Sequence, residues 1–169
     1  MPELVLGIDP GTAVTGYGIV SIDARGQATL VECGVIRTAP RDDLPRRLVE
    51  IHEGVVELIQ RHKPNRIAVE SIFYALNVRT TIVLGHARGV ILLAAANAGV
   101  AINEYPPAEI KKAITGTGAA TKEQVQFMVA RLLRLKAAPQ PADAADGVAA
   151  ALCACMALKQ SHLLTSNSR

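Results

Sequence analysis

Three β-patterned runs precede the first helical pattern, and every later strand follows a helix; that order limits the sheets this chain can build. "LVLGI" (4–8), "TGYGIVSID" (15–23) and "ATLVECGVIR" (28–37) are the three runs, and "ARGQ" between the last two reads as a hairpin turn. They are expected to form an antiparallel meander. Leu44, Leu48, Ile51, Val55, Leu58 and Ile59 then recur at helical spacing over 44–62, and Lys63-Pro64 ends that helix. "RIAVE" (66–70) is a fourth strand, a helix rich in small residues covers about 79–98, and "VAINEY" (100–105) is a fifth strand. Pro106-Pro107 opens a helix to about Thr115, and Thr121 with Gln124 makes a capping box for a helix over 122–135. After the linker "KAAPQPA" a last helix runs from near Asp143 to near Gln160. The crossover through helix 44–62 sets strand 4 parallel to strand 1. The expected fold is therefore α/β, a five-stranded mixed sheet (an antiparallel meander, then parallel strands) flanked by helices. It forms one domain over residues 1–160, with 161–169 a disordered tail.

Acids stand at the ends of two of these strands. In "GIDPGTAVTGYGIV" (7–20) Asp9 closes strand 1, and in "RIAVE" Glu70 closes strand 4. Asp-Pro-Gly is a good turn in its own right, because Asp bonds local backbone, Pro presets φ and Gly accepts positive φ. The position matters more. In sheets of this topology the active crevice lies beyond the carboxyl ends of the parallel strands, and neighbouring strands are only about 4.8 Å apart. Two carboxylates placed there repel one another unless something positive lies between them. A third acidic element is "PADAADGVAAAL" (141–152), where Asp143 and Asp146, three apart, share a helix face. They also suit a helix start, Asp143 as a cap and Asp146 at the positive end of the dipole. Their surroundings are almost entirely Ala, Val and Leu, and carboxylates in such company need a partner. Mg²⁺ takes oxygen ligands, and two such ions serve phosphodiester hydrolysis, so four carboxylates would balance two divalent ions. Asp9 thus reads as turn former and ligand together.

Taken in order, "GIDPGTAVTGYGIV", "IAVESIF", "LGHARGV", "TGTGAATKEQVQFMV" and "PADAADGVAAAL" resemble the RuvC family of Holliday-junction resolvases over about residues 4–158. The resemblance implies an RNase H-like fold and a homodimer that uses Mg²⁺ or Mn²⁺, two ions per active site, to cut two opposed strands of a four-way DNA junction. It places the catalytic and metal-holding acids at Asp9, Glu70, Asp143 and Asp146, with no departure at those positions. It also places DNA-contacting lysines at Lys111 and Lys122 and a base-stacking aromatic at Phe73. Arg79 is a further basic candidate in the same loop region, and a junction-migrating helicase is an implied partner.

The residues themselves support part of this. Aromatic residues are few, three Tyr and two Phe, yet Phe73 and Tyr74 are adjacent in an expected loop just after Glu70, where a ring can wedge against unstacked bases. A net charge of +3 permits a polyanionic partner without requiring one. "GTGAATKE" is not a P-loop, since Thr121 stands where Gly is needed before Lys122 and Glu123 takes the Ser/Thr place. Cys153 and Cys155 fall on opposite sides of a helix and read as core residues; three cysteines make no disulfide framework. Gly85 and Gly89 lie one turn apart on helix 79–98, whose broad apolar face suits a two-fold contact, with His86 and Arg88 as candidate lining. No secretory signal is expected, the apolar run 89–102 is too short to span a membrane, and the expected location is cytoplasmic. Three alternatives remain open from sequence: a related nuclease acting on RNA, a non-catalytic junction-binding module, or a fragment resembling the actin-like and sugar-kinase ATP-binding turn.

Overall fold

The computed structural model describes residues 2–71 and 78–166, with backbone alone over 161–166. Its elements follow the expected order: β1 (Glu3–Asp9), β2 (Val14–Ile22), β3 (Ala28–Arg37), α1 (Leu44–His62), β4 (Arg66–Glu70), α2 (Val78–Asn97), β5 (Ala101–Tyr105), α3 (Pro107–Thr115), α4 (Lys122–Leu132) and α5 (Ala142–Ser166). The sheet runs β3-β2-β1-β4-β5. β1, β2 and β3 form the antiparallel meander, while β4 pairs parallel with β1 and β5 parallel with β4. The five-stranded mixed sheet expected from the element order is what the chain folds into.

Alternation along the strands sends side chains to two cores. Leu6 and Ile8 of β1 and Ile67 and Val69 of β4 pack under α1 and α2, against Ile51, Val55, Ala87 and Ile91. Val5 and Ala68 face the other way, against α3, α4 and the long apolar side of α5. Counting on by twos, Asp9 and Glu70 fall on the α5 side at the carboxyl ends of their strands.

α5 lies unusually close to the sheet, and glycine is the reason. A Cβ on Gly7 would stand 2.3 Å from the Ala151 nitrogen, and one on Gly16 would stand 1.8 Å from the Asp143 carbonyl oxygen. On the helix, a Cβ at Gly147 would run into the Tyr17 backbone at 2.5 Å. The alternating glycines of "TGYG" therefore form a shallow track along which α5 is laid, and its first turn arrives beside the end of β1.

Three details depart from expectation. α5 is helical to Ser166 instead of ending near Gln160, since no Gly or Pro interrupts 161–166; residues 167–169 lie outside the described residues. Arg88, a candidate lining residue, is tied within its own chain: its Nε donates to Glu104 Oε2 on β5 at 2.7 Å. α2 is, by length and composition, apolar enough to cross a membrane, although the shorter run 89–102 is not. In the fold its Ala87, Ile91, Ala94 and Ala95 are buried against the sheet and α1. Its other side leaves Val78, Ile82 and Leu93 more than half exposed.

Candidate active site

Asp9 and Glu70 end adjacent parallel strands, with Ile8 paired to Val69 one residue earlier. α5 adds Asp143 and Asp146 from its first turn. Because α5 starts at Ala142, Asp143 lies inside the helix and is not its cap; the Ala144 amide bonds to Pro141. Its carboxylate makes no hydrogen bond or ion pair among the described residues. Carboxylate oxygens of Asp9, Asp143 and Asp146 all lie within 4.8 Å of one another, a spacing that suits a shared cation. Glu70 joins Asp9 and Asp146 in lining a cleft of about 240 Å³.

Two lysines line the same cleft. Lys111 comes from the middle of α3, while the adjacent Lys112 is exposed and does not line it. Lys122 is the first residue of α4, and the capping box fixes where that helix starts: Thr121 Oγ1 accepts from the Gln124 amide at 3.2 Å, and Gln124 Oε1 accepts from the Thr121 amide at 2.9 Å. So held, Lys122 Nζ donates to Asp146 Oδ2 at 2.7 Å.

Crowding of the acids shows in their protonation. Burial, and then the negative charges of Glu70, Asp146 and Asp143, push the Asp9 carboxyl up to about 8. Burial and Asp146 push Glu70 up to about 7, against the pull of Lys111 and Lys122. Asp146 is also raised, by burial first, with its bond to Lys122 opposing the shift. Lys122 is raised in turn, chiefly by that bond. Carboxylates held this close are neutralised either by protons or by cations, and the all-oxygen donor set fits a hard divalent ion.

Sequence reasoning missed the residues that hold the turn after Asp9. Thr15 and Thr38 are buried, and both hydroxyls donate into that turn, Thr15 Oγ1 to the Gly11 carbonyl at 2.7 Å and Thr38 Oγ1 to the Thr12 carbonyl at 2.6 Å. From α1, Arg47 Nε donates to the same Thr12 carbonyl and to Thr38 Oγ1 at 3.2 and 3.0 Å. The glycines of "TGYG" were the available hint to the close approach of α5, since Gly inside a strand marks a near backbone.

Of the remaining candidates, Arg79 stands exposed in the first turn of α2 and does not line the cleft. Phe73 and Tyr74 lie outside the described residues.

An RNase H-like sheet with carboxylates converging at its parallel strand ends defines a metal-assisted nuclease as the class. The family model for crossover junction endodeoxyribonuclease RuvC matches residues 5–154. The chain is 49% identical over 150 residues to the crossover junction endodeoxyribonuclease RuvC of Pelotomaculum thermopropionicum, covering 89% of this chain and 91% of that one. To its counterpart from Moorella thermoacetica it is 50% identical, covering 89% of each. Among solved structures, Thermus thermophilus RuvC in complex with a Holliday junction substrate superposes with a TM-score of 0.88 at 36% identity, covering 94% of this chain and 96% of that one. The yeast mitochondrial Holliday junction resolvase Ydc2 shares the fold, with a TM-score of 0.67 at 13% identity and coverage of 99% and 86%. The chain belongs to the RuvC family of crossover junction endodeoxyribonucleases, hydrolases of DNA phosphodiester bonds.

Proposed function

We propose that this chain resolves four-way DNA junctions by paired, symmetrical nicks, in recombination and repair, with Asp9, Glu70, Asp143 and Asp146 holding two Mg²⁺ or Mn²⁺ ions. The observation that carries the reading is the convergence of three aspartates within 4.8 Å, with Glu70, Lys111 and Lys122 on the same cleft. Bound there, the ions would lower the pKa of the attacking water and stabilise the leaving oxygen of the cut strand. The chain's own residues do the rest. Asp9 and Asp143 have no lysine bonded to them, and a cation bound between them would displace the proton that burial and crowding keep on Asp9. Lys122 holds Asp146 in place and carries a positive charge to the mouth of the cleft, where with Lys111 it holds the phosphates flanking the scissile bond. Water adds to phosphorus as one P–O bond breaks; the water gives a proton to solvent, and the leaving oxygen takes one up and departs as a hydroxyl.

Phe73 is assigned to stacking on bases opened at the crossover, and Arg79, at the start of α2 beyond it, to backbone phosphate. The homodimer is assigned to the outer side of α2. A Cβ added at Gly85 or Gly89 would meet nothing within 4 Å, and exposed Ile82 and Leu93 continue the same stripe. A second copy packed there by a two-fold axis gives two clefts for two equivalent strands. Residues 1–160 are assigned to one nuclease domain, working in the cytoplasm beside a junction-migrating helicase. The test is one incubation of the protein with a mobile four-way junction, with and without divalent metal. Metal-dependent paired nicks are expected, and cleavage of plain duplex at the same rate would overturn the assignment.

A further inference from the structure

A second cavity, of about 390 Å³, opens between the 23–27 turn, the end of α4 and α5. Ile22 on its wall pairs with Glu3 at the start of β1, whereas Asp9 pairs with Gly16 at the other end. The cavity and the acid cleft thus lie at opposite ends of the sheet, about 20 Å apart at about 3.4 Å per residue. Its floor is apolar, with Ile22, Leu152 and Cys155 buried there. Its rim carries Arg25, Arg134 and Lys159, and no carboxylate is among the described residues lining it.

A separate feature holds each cation at the mouth. Asp23 Oδ1 accepts from the Arg25 and Gln27 amides at 2.9 and 2.8 Å, which pins the turn that carries Arg25. The stem of Lys159 lies along Gly26, where an added Cβ would stand 2.8 Å from its Cδ. Arg134 follows α4 in the left-handed region, φ 55, a conformation that favours glycine, and its side chain lines the cavity. None of the three side chains has a hydrogen bond or ion pair among the described residues. A DNA backbone would match the charges but leave the apolar floor empty. A carboxylate-rich peptide with an apolar side chain matches both, the side chain filling the cup and the acids meeting the rim. We propose that this cavity docks an acidic, apolar-tipped segment of a partner protein, at the end of the sheet remote from the acid cleft.

The probes are fluorescein-labelled peptides of four aspartates ending in Leu-Phe, Ile-Phe or Leu-Trp, titrated by anisotropy against the full chain. At least one is expected to bind saturably. Arg25→Glu with Lys159→Glu should weaken it by about ten-fold or more. Arg134→Gly relieves the backbone without the charge, so it should hold or raise the melting temperature while also weakening the peptide. Replacing the aspartates by asparagine, or the apolar pair by serines, should abolish binding. Junction cleavage by these variants should match the unaltered chain, whether or not the four-acid assignment survives its own test. Failure of all three peptides to bind at millimolar concentration, undiminished binding to the variants, competition by short duplex DNA, or loss of cleavage in the variants would each overturn the proposal.

Discussion

At Asp9 the fold sets stability against chemistry. A carboxyl whose value rises from 3.8 to about 8 on folding is a cost that grows as pH rises through that range, because the native state must give up a proton it holds more tightly than the unfolded chain does. The cost is absent below the unfolded value and complete above the folded one. Asp9→Asn removes it. The metal-free variant should therefore be more stable than the unaltered protein near pH 8, by at least about 1 kcal/mol, and no more stable near pH 4. Cleavage should fall by several orders of magnitude. A melting temperature unchanged at both pH values would remove the charge crowding from the account. Asp143→Asn separates ligand from cap: Asp143 sits inside α5, so stability should move by less than about 0.5 kcal/mol while activity is lost. Thr38→Val leaves the Thr12 carbonyl short of a buried donor, at a cost of about 1–3 kcal/mol. It should lower kcat more than junction affinity, with Thr38→Ser restoring both. The four acids were legible in the sequence because strand ends and an i, i+3 spacing are local patterns. Thr15, Thr38 and Arg47 were not, because Thr38 and Arg47 meet the Thr12 carbonyl from 26 and 35 residues away, and nothing local marks such bonds.

Among the elements, α5 supplies two of the four clustered acids and α2 leaves an apolar side exposed. α5 delivers two acids only because the sheet beneath it is paved with glycine, so Gly16→Ala should do more than its size suggests. Its Cβ cannot coexist with the Asp143 carbonyl, and the helix start must shift. The expected result is a stability loss of about 1–3 kcal/mol, with a larger loss of cleavage than the unfolded fraction explains. Normal cleavage by the folded fraction would mean that the acids tolerate displacement. That α2 is a helix was legible in the sequence, but which side met the core was not, since small residues face both ways and the pattern has little contrast. The structure turns Ala87 and Ile91 inward and Arg88 toward Glu104, leaving Ile82 and Leu93 outside. Ile82→Glu with Leu93→Glu should halve the sedimenting mass, from about twice 17.9 kDa to that of one chain, and uncouple the two nicks. For Phe73→Ala the melting temperature should hold and cleavage slow, with recovery on junctions whose central bases are already unpaired; stacking contributes about 1–3 kcal/mol per base.

For the whole molecule, the order of strands decides where chemistry can occur. A meander followed by parallel strands places the ends of β1 and β4 side by side, on the edge that α5 and the lysines of α3 and α4 also reach. The adjacency of the two strand ends followed from element order alone. The other end of the sheet did not, because its cavity is assembled from a turn, a helix end and a late stretch of α5 that share no motif. With a net charge of only +3, attraction for DNA comes from where the cations stand more than from their number. The most direct measurement places purified protein with a four-way junction labelled on each strand, in Mg²⁺, Mn²⁺ or chelator, beside a linear duplex of the same sequence and the Asp9→Asn variant. Paired nicks at symmetrical positions, requiring both metal and Asp9 and absent from the duplex, are the predicted result. Nicking that persists in chelator, or in the Asp9→Asn variant, would contradict the assignment of the acid cleft as a metal-dependent junction-cutting site.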